Sequence, residues 1–424
     1  MSDDYELTQG QESALAMVKR LLACDRTTLG IIGGYGGTGK TYILKKIAEQ
    51  VGTPIIITPT GKAAQRVHQL TGLAASTIHR WQYRPLLNDD TGGLEFERLA
   101  PSEMSVGEAG LVIVDEGSMV GKDLFGDVWE ACQDLRLKLL VIGDSFQLPP
   151  VEPGLARGAK PWSLLDPKNT SPSHYVLLDE IVRQAADSVV IKIATAIRAG
   201  DVLAAMKMTP QIPTKDFIHE AAKVRAKGGG VIVHRNATRH WANAGIRAEM
   251  GYSDSSLSPG EPLLVRKNCY QLGVFNGETL DFVDWAELSN TKHTCYDRWK
   301  KIRETSRFGI ARLRNPDTGQ EVKAVLAQEE VWGRMNCGTA AIEATAEVLY
   351  RGVPFLHCNF GYVSTVHSAQ GSENDTVLLG LEPSVRFDGD RREEGLRFLY
   401  TSATRAREQF LVSLGVSPPQ GVLP

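Results

Sequence analysis

The chain has 424 residues, of which 42% are hydrophobic and 23% are charged, and its formal net charge at pH 7 is -3. These values are typical of a globular protein with several domains and exclude a fibrous or disordered chain. No apolar run approaches the roughly 18 residues of a membrane span, and no signal segment is found at the N-terminus. The six cysteines form no Cys-x-x-Cys pair, which argues against a zinc site and a disulfide framework. We therefore expect a soluble, cytoplasmic protein.

The first predicted elements surround a glycine-rich loop. An amphipathic helix near the N-terminus is followed by an apolar run, Leu29 to Ile32, that predicts a buried strand. Residues 33–41 read Gly-Gly-Tyr-Gly-Gly-Thr-Gly-Lys-Thr and contain the P-loop pattern Gly-x-x-x-x-Gly-Lys-Thr, with apolar residues at helical spacing after it. The backbone N–H groups of such a loop surround a phosphate, while Lys40 meets the β and γ phosphates and Thr41 holds magnesium. We therefore predict ATP and Mg²⁺ as ligands, bound by Gly34, Gly36, Gly37, Thr38, Gly39, Lys40 and Thr41.

A hairpin insertion is predicted after a second strand and helix. That strand covers residues 54–58, and the sequence becomes polar and rich in turns between residues 81 and 109. Within this stretch, Asn88 to Gly93 is a strong turn signal with apolar residues on both sides. This pattern is typical of two short antiparallel strands.

Two apolar strands end in polar residues, at the positions where α/β folds form ligand sites. Leu111 to Val114 ends in Asp115 and Glu116, and a strand over 139–142 leads to Gln147 in a proline-rich turn. Beside a P-loop, Asp115 is predicted to hold magnesium and Glu116 to orient and deprotonate the attacking water. Gln147 is predicted to reach the γ-phosphate. The alternatives are that the two carboxylates begin a helix and that the turn is an ordinary one.

The α/β pattern recurs after an irregular stretch and is then interrupted once. Residues 176–178 begin a second set of strand and helix signals, short strand-like runs occupy about 259–355, and α/β signals resume at 376–379. We predict an α/β fold with a first domain over 1–78 and 109–175, the hairpin insertion over 79–108, a second domain over 176–258 and 356–424, and a β-rich insertion over 259–355.

Two arginines of the second α/β domain are candidates for transition-state contacts. Phosphoryl transfer passes through a charge-rich transition state, which an arginine supplied from another element stabilises. Arg183 and Arg405 are the candidates. For any arginine the alternative is a surface salt bridge, and for the neighbouring Arg407 we favour it.

The order of the motifs resembles that of the superfamily 1 helicases, most closely the group that contains Dda and RecD. The resemblance spans nearly the whole chain and rests on Gln11, the P-loop, Thr58 to Ala64, Ser76 to His79, Asp115 to Met119, Gly143 to Pro150, Arg183, Thr365 to Gly371, and Thr404 with Arg405. It implies two RecA-like P-loop motor domains in tandem, with ATP between them and single-stranded DNA across their tops. The hairpin would then carry a strand-separating pin, and the β-rich insertion would be SH3-like.

The resemblance also implies roles for individual residues. Gln11 would read adenine, Glu373 would lie near the ribose, and Gln370 and Gly371 would line the nucleotide cleft. DNA contacts would come from Pro59, Thr60, Lys62, Thr77, His79, Asn236, Thr365 and His367, with Phe96 as the pin. The lysine could equally be solvated, the histidines structural and the phenylalanine packed inward. One departure is Ser368, where this group often has a lysine, and it removes a possible phosphate contact.

We therefore expect an ATP-dependent DNA helicase that moves along single-stranded DNA, 5′ to 3′ by the resemblance, and separates duplex strands in replication, recombination or repair. Its partners would be single-stranded DNA, duplex junctions and a single-strand-binding protein, and it would act as a monomer. The net charge leaves a nucleic-acid partner open, since a strand channel can be locally basic. An alternative is a translocase that displaces bound proteins without unwinding. A P-loop switch or kinase is disfavoured, because the sequence has no Asn-Lys-x-Asp motif and a kinase does not need a second α/β core.

Overall fold

The computed structural model describes residues 6–87, 94–150, 162–182, 187–252, 257–297, 302–316, 318–328, 350 and 352–419. The chain forms two compact units, one spanning Met1–Met208 and Arg386–Thr404 and the other Thr209–Val385 and Arg405–Pro424. Each unit contains a parallel sheet, which confirms the predicted α/β class. None of the helices in the described ranges is long and apolar enough to cross a membrane.

Up to residue 208 the chain alternates helices and strands. Uninterrupted apolar runs give strands that are buried on both faces, and apolar residues three and four positions apart give helices that are buried on one side. In chain order the elements are α1 (Gln9–Leu22), β1 (Leu29–Gly34), α2 (Lys40–Val51), β2 (Ile55–Thr58), α3 (Gly61–Thr71), β3 (Ala75–Thr77), α4 (Ile78–Gln82), β4 (Tyr83–Leu87), β5 (Leu94–Arg98), β6 (Leu111–Val114), α5 (Lys122–Asp134), β7 (Lys138–Gly143), β8 (Tyr175–Leu178), α6 (Val189–Arg198) and α7 (Val202–Met208).

From residue 209 onward strands outnumber helices. The elements are β9 (Gln211–Ile212), α8 (Phe217–Ala226), β10 (Gly230–Val233), α9 (Asn236–Glu249), β11 (Pro262–Val265), β12 (Thr279–Leu288), β13 (His293–Asp297), β14 (Ile302–Ser306), β15 (Phe308–Arg314), β16 (Glu321–Ala327), β17 (Cys358–Phe360), β18 (Ser364–Thr365), α10 (Val366–Ala369), β19 (Asn374–Leu381), α11 (Arg392–Ala403) and β20 (Ala406–Leu414). Of these, α11 belongs to the first unit.

The first unit is built on a six-stranded parallel sheet with the strand order β3-β2-β6-β7-β1-β8. Alternate residues of a strand face opposite sides. In β6, Val112 and Val114 pack with α4 and α5, whereas Leu111 and Ile113 pack with α1, α2 and α3. Helices therefore cover both faces of the sheet, and the loops at the carboxyl ends of its strands are left for ligands.

Strand β8 corrects the predicted start of the second domain. We expected residues 176–178 to open that domain, but Tyr175–Leu178 pairs in parallel with the P-loop strand β1. Helices α6 and α11 also belong to the first unit, where they pack against each other. The first core thus extends beyond residue 175. The reason is that an apolar strand at a sheet edge carries no local mark of which sheet it joins.

The segment between α4 and β6 contains an antiparallel strand pair, in which Tyr83 of β4 lies opposite Arg98 of β5. The Tyr83 hydroxyl donates to Oδ2 of Asp127 in α5 at 2.6 Å, and the Arg98 guanidinium donates to the Asp127 carbonyl at 3.1 Å. These bonds fix the base of the pair on α5. The predicted turn over 88–93 lies outside the described residues, and the role of the pair as a pin stays a prediction.

The second unit combines a five-stranded parallel sheet, β18-β10-β19-β20-β9, with a five-stranded antiparallel sheet, β16-β15-β12-β11-β17. Both contribute to one continuous core, which contains Val233 of β10 and Phe282 of β12. Arg247 of α9 makes two hydrogen bonds, of 2.6 and 3.1 Å, to the buried carboxylate of Glu261, which directly precedes β11. This buried charge pair fixes α9 on the antiparallel sheet, because neither partner can be buried alone at low free-energy cost. The SH3-like character of the insertion stays a prediction.

Candidate functional site

The P-loop joins the carboxyl end of β1 to the first residue of α2, Lys40. Gly39 has a φ of +79°, and a Cβ at this position would stand 2.6 Å from Nε2 of Gln11. Glycine is therefore required there both for backbone conformation and for space. The Thr38 hydroxyl closes the loop by donating to the Tyr35 carbonyl at 2.8 Å. The loop contains the predicted phosphate ligands Gly34, Gly36, Gly37, Thr38, Gly39, Lys40 and Thr41.

Gln11, the predicted adenine contact, supports the P-loop from α1. Its side chain is 2% exposed. Its Nε2 donates to the Thr38 carbonyl at 3.1 Å, and its Oε1 accepts from the Thr8 N–H at 3.2 Å. Both ends of the amide are therefore engaged within the protein, where they tie the loop to the start of α1. The contact with adenine stays a prediction.

The Lys40 ammonium group lies inside the loop. Its Nζ donates to the Tyr35 carbonyl at 2.9 Å and lies 3.9 Å from Oδ2 of Asp144, which is fully buried directly after β7. An ammonium group held by one carbonyl and one carboxylate can exchange these partners for phosphate oxygens. The predicted metal ligand Thr41 follows in the same turn of α2, where the helix N-terminus favours anions.

Asp115 and Glu116 follow β6, which β7 separates from the P-loop strand β1. Burial and the neighbouring Glu116 raise the pKa of Asp115 from 3.8 to about 6, although Arg66 and Lys40 act in the opposite direction. Glu116 has a left-handed φ of +54°, which is uncommon for a residue other than glycine. Its Oε1 lies 3.8 Å from Nη1 of Arg66, and among the described residues its Oε2 has no hydrogen-bond partner. Two adjacent carboxylates, one with a raised pKa and one with an unpaired oxygen, fit a divalent cation.

Gln147 lies in the loop after β7 and is 5% exposed. Among the described residues its Oε1 has no hydrogen-bond partner. An amide oxygen accepts hydrogen bonds and so suits a water molecule, whereas the amide nitrogen suits a phosphate oxygen. The loop itself is held in place, because the Gln147 carbonyl accepts from Nη1 of Arg397 at 3.1 Å. The role of Gln147 as a γ-phosphate sensor stays a prediction.

Five predicted DNA contacts lie at the carboxyl ends of β2 and β3, which β6 and β7 separate from the P-loop strand β1. Strands β2 and β3 are parallel neighbours, with Thr58 opposite Thr77. Thr60 caps α3 and Thr77 caps α4, since their hydroxyl oxygens accept from backbone N–H groups at 3.2 and 3.1 Å. Both hydroxyl protons can still be donated to a phosphate. Burial lowers the pKa of His79, which favours the neutral form of its ring. The five residues, which end or follow these two strands, are Pro59, Thr60, Lys62, Thr77 and His79.

Two further candidates in this part of the chain have no described side chain. Phe96 lies in the middle of β5, opposite Pro85 of β4. Arg183 is outside the described residues, but the N–H of Val182 donates to the Gly37 carbonyl at 3.0 Å. The chain directly before Arg183 therefore contacts the P-loop. The pin role of Phe96 and the transition-state role of Arg183 stay predictions.

The second sheet repeats this arrangement of strand ends. Strands β10 and β18 are parallel neighbours. Asn236 begins α9 after β10, and its Oδ1 accepts from Nε of Arg239 at 3.3 Å. Thr365 ends β18, and its hydroxyl shares a hydrogen bond of 3.1 Å with the hydroxyl of Ser368. His367 lies in the short helix α10 that follows. Three predicted DNA contacts of the second unit thus follow two adjacent strand ends.

Arg405 fixes the loop between α10 and β19. Its side chain is 2% exposed, and its Nη1 donates to the Ser372 carbonyl at 3.3 Å. Its own carbonyl accepts from the Asn374 N–H at 2.9 Å. Gly371 has a φ of +76° in this loop. The second unit therefore brings together Gln370, Gly371, Glu373 and Arg405. Their action on a nucleotide stays a prediction.

Sequence reasoning missed two side chains that shape the P-loop from later helices of the first unit. The guanidinium carbon of Arg198 in α6 lies 3.8 Å from the ring centroid of Tyr35, which is a cation–π contact. The hydroxyl of Tyr400 in α11 accepts from the Gly36 N–H at 2.8 Å and donates to Oδ2 of Asp144 at 2.7 Å. The available signals were an aromatic residue inside a glycine loop and a tyrosine four residues before the motif residue Thr404. Neither reveals its partner from local sequence.

Comparison with known proteins gives two family matches and several relatives. Residues 6–223, more than half of the 424-residue chain, match a family profile described as AAA domain, and residues 360–413 match one described as UvrD-like helicase C-terminal domain. The chain is similar to the ATP-dependent RecD2 DNA helicase of Deinococcus radiodurans, with 28% identity over 408 residues that cover 90% of this chain and 46% of the relative. It is also similar to the ATP-dependent DNA helicase PIF1 of Emericella nidulans, with 30% identity over 166 residues that cover 36% of this chain and 22% of the relative. The chain spans less than half the length of either relative.

Solved structures share the fold. A crystal structure of Pif1 helicase from Bacteroides, in complex with ADP-AlF3 and single-stranded DNA, aligns with a TM-score of 0.52 and 18% identity. The alignment covers 96% of this chain and 92% of that chain. At this level of identity the likeness shows fold alone, and the fold is that of two RecA-like domains in tandem.

Proposed function

Because the chain belongs to the AAA domain family and is a superfamily 1 helicase of the RecD/Pif1-like group, we propose that it hydrolyses ATP to move along single-stranded DNA and to separate duplex strands. One observation carries the proposal. The Asp115–Glu116 pair, Asp144 and the P-loop follow three neighbouring parallel strands, β6, β7 and β1, so they share one edge of one sheet. The relatives named as DNA helicases extend the proposal to DNA.

ATP would occupy the P-loop with its phosphates at the N-terminus of α2. Lys40 would leave the Tyr35 carbonyl and the neighbouring Asp144 carboxylate for the β and γ phosphates. A magnesium ion held by Thr41 and Asp115 would neutralise charge on the phosphate oxygens. Glu116, with one unpaired carboxylate oxygen, would accept a proton from the attacking water. The buried Gln147 amide would help to orient that water.

Single-stranded DNA would bind at the carboxyl ends of β2, β3, β10 and β18, where polar residues stand at the start of the next helix. The hydroxyls of Thr60 and Thr77 in the first unit and of Thr365 in the second would donate to backbone phosphates. His79 and Asn236 would add polar contacts that do not depend on base sequence. Phosphate contacts of this kind position the strand without reading it, as movement along any sequence requires.

The resemblance to Dda and RecD also supports the finer features of the proposal. We place movement in the 5′-to-3′ direction and the protein in the cytoplasm, acting as a monomer in replication, recombination or repair. Duplex junctions and a single-strand-binding protein would be its partners. In this scheme Phe96 is the strand-separating residue, while Arg183 and Arg405 stabilise the transition state and Gln370, Gly371 and Glu373 contact the nucleotide.

The first experiment measures ATP hydrolysis with and without single-stranded DNA. Lys40→Ala should reduce turnover to background, and Glu116→Gln should bind ATP without hydrolysing it. Lys46→Ala is the matched control, because Lys46 is on the same helix but pairs with Glu49 at 3.1 Å. Normal turnover in Lys40→Ala would contradict the assignment of the P-loop.

The second experiment measures strand separation on two duplexes, one with a 5′ single-stranded tail and one with a 3′ tail. Unwinding of the 5′-tailed duplex alone supports the proposed direction, and unwinding of the 3′-tailed duplex alone reverses it. DNA-stimulated hydrolysis without unwinding would leave a translocase that displaces bound proteins. Hydrolysis that no nucleic acid stimulates would overturn the motor.

A further inference from the structure

One face of α11 holds both the P-loop and the loop after β7. Arg397, Tyr400 and Thr401 are three and four positions apart and so project from the same side of the helix. Nη1 of Arg397 donates to the carbonyls of Ser145 and Gln147 at 2.7 and 3.1 Å. The Thr401 hydroxyl accepts from the Leu148 N–H at 2.9 Å. The backbone of the loop that carries Gln147 is thus set by this helix.

Tyr400 is the member of this face that reaches the P-loop. Its side chain is 1% exposed, and its ring packs edge-on against Phe146 with 5.1 Å between centroids. Its hydroxyl makes two bonds of opposite sense, accepting from the Gly36 N–H at 2.8 Å and donating to Asp144 at 2.7 Å. The hydroxyl therefore bridges a backbone group of the phosphate loop and the carboxylate that stands beside Lys40.

Lys40 and the Tyr400 hydroxyl meet at the same carboxylate, that of Asp144. Lys40 lies 3.9 Å from Oδ2 of Asp144, the same oxygen that accepts from Tyr400. Entry of a phosphate would draw Lys40 away from Asp144 and would offer the Gly36 N–H an anionic acceptor. Asp144 is fully buried, so without Lys40 it would depend more strongly on the Tyr400 hydroxyl. Occupancy of the P-loop would thus change both hydrogen bonds of the Tyr400 hydroxyl.

The chain next to Tyr400 passes directly into the second unit. Helix α11 ends at Ala403, and the boundary between the units falls between Thr404 and Arg405. Arg405 is in turn bonded to the Ser372 carbonyl, in the loop that follows the predicted DNA contacts of α10. The C-terminal turn of α11 is therefore continuous along the chain with the residue that is hydrogen-bonded to that loop.

We propose that Tyr400 is the positioning residue that couples the phosphate state of the P-loop to the grip on DNA, through the loop over 145–148 and through Arg405. This inference rests on the proposed ATP-driven motor. It assigns the coupling to one hydroxyl group rather than to the packing of α11 as a whole. A variant that keeps the ring and removes the hydroxyl therefore tests it directly.

The test compares the wild type with Tyr400→Phe and with Ser402→Ala. Ser402 is the matched control, because it is buried on the same helix and its hydroxyl donates to the Phe398 carbonyl within that helix. The dissociation constant of a fluorescent single-stranded oligonucleotide is measured without nucleotide and in a non-hydrolysable Mg-ATP analogue. The ratio of the two constants reports coupling without hydrolysis. The affinity for a fluorescent ADP is measured alongside.

The wild type and Ser402→Ala should show a ratio of about 5 to 150, the range of typical site-to-site coupling. Tyr400→Phe should bring the ratio close to one and remove most of the stimulation of kcat by DNA, while ADP affinity stays within about threefold of wild type. Thr401→Val, which keeps the side-chain volume but removes the acceptor for Leu148, should lower the ratio in part.

Three results would overturn the assignment. One is a wild-type ratio in Tyr400→Phe, and another is a ratio near one in the wild type itself. The third is a parallel loss of ADP affinity and thermal stability, which would mean that the hydroxyl only supports the fold. Failure of the proposed function has a different signature, because the wild type would then hydrolyse no ATP in the presence of DNA.

Discussion

Replacing Asp115 with asparagine should stabilise the protein that has neither metal nor nucleotide bound. Burial and the adjacent Glu116 raise the pKa of Asp115 from 3.8 to about 6. At 1.36 kcal/mol per pKa unit, this rise in the pKa corresponds to about 3 kcal/mol by which the ionised carboxylate opposes folding. Asparagine keeps the shape and removes the charge. In a unit of this size, each kcal/mol raises Tm by about 2 to 4 °C, so the upper limit of the gain is about 6 to 12 °C.

The pH dependence has a definite sign. Because the folded state holds the Asp115 proton up to about pH 6 and the unfolded state releases it near 3.8, this group contributes stability at pH 4 and below. That contribution is lost as the pH rises towards 6. Above pH 6 the carboxylate is ionised in both states and the full destabilisation applies. The advantage of Asp115→Asn should therefore be largest at pH 7.5 and should shrink as the pH is lowered to 5.

The assay is thermal unfolding in EDTA, without nucleotide, at pH 7.5 and pH 5. Asp134→Asn is the matched control, since Asp134 is an exposed aspartate of the same unit, at the end of α5, and its substitution should leave Tm unchanged. With Mg-ATP added, the wild type should gain stability by ligand binding, and Asp115→Asn should gain much less. An Asp115→Asn variant that melts at or below the wild-type temperature at pH 7.5 would refute the reasoning.

Three further substitutions test other parts of the structure. Gly39→Ala places a methyl group 2.6 Å from Nε2 of Gln11, at a residue whose φ is +79°. Both effects strain the P-loop, so fluorescent ADP should bind at least about tenfold more weakly. Unchanged binding would contradict this strain. Glu261→Gln leaves the buried Arg247 without its counter-charge and should destabilise the second unit by about 3 to 5 kcal/mol, seen as a lower denaturation midpoint. Tyr83→Phe loosens the strand pair from α5 and should lower unwinding while DNA-stimulated hydrolysis is kept, whereas an equal loss of both would place the hairpin in the ATPase cycle.

Much of the first sheet could be predicted from the sequence, because its strands are continuous apolar runs. Leu111–Val114 was predicted with the bounds that the structure has, and the P-loop strand differs from its prediction only at its carboxyl end. One rule, that ligand sites form at the carboxyl ends of parallel strands, predicts that Asp115 and Glu116 share a sheet edge with the P-loop, and the strand order agrees. Local pattern and fold topology agree on these strands, while the roles of the two carboxylates stay predictions.

Long-range pairing could not be predicted in the same way. Tyr175–Leu178 has the apolar signature of any buried strand, and only its hydrogen bonds to β1 place it in the first sheet. Likewise, the pattern of α11 predicts a helix but not its contact with the P-loop. That contact joins Tyr400 to Gly36, far earlier in the chain. Contacts at such separations depend on which surfaces are left unburied after the sheet forms, and no sequence window contains that information.

The division of the chain has a consequence for the order in which the protein can fold. The first unit lacks α11 until residues 392–403 have been synthesised, and the whole interval over 209–385 is made before them. Nascent chains fold from the N-terminal end as units are completed. The six-stranded sheet can therefore assemble early. The hydrogen bonds of the Gly36 N–H and of Asp144 to the Tyr400 hydroxyl can form only after most of the second unit has been synthesised. A chain released before that helix emerges would have a P-loop that lacks the hydrogen bond to Tyr400.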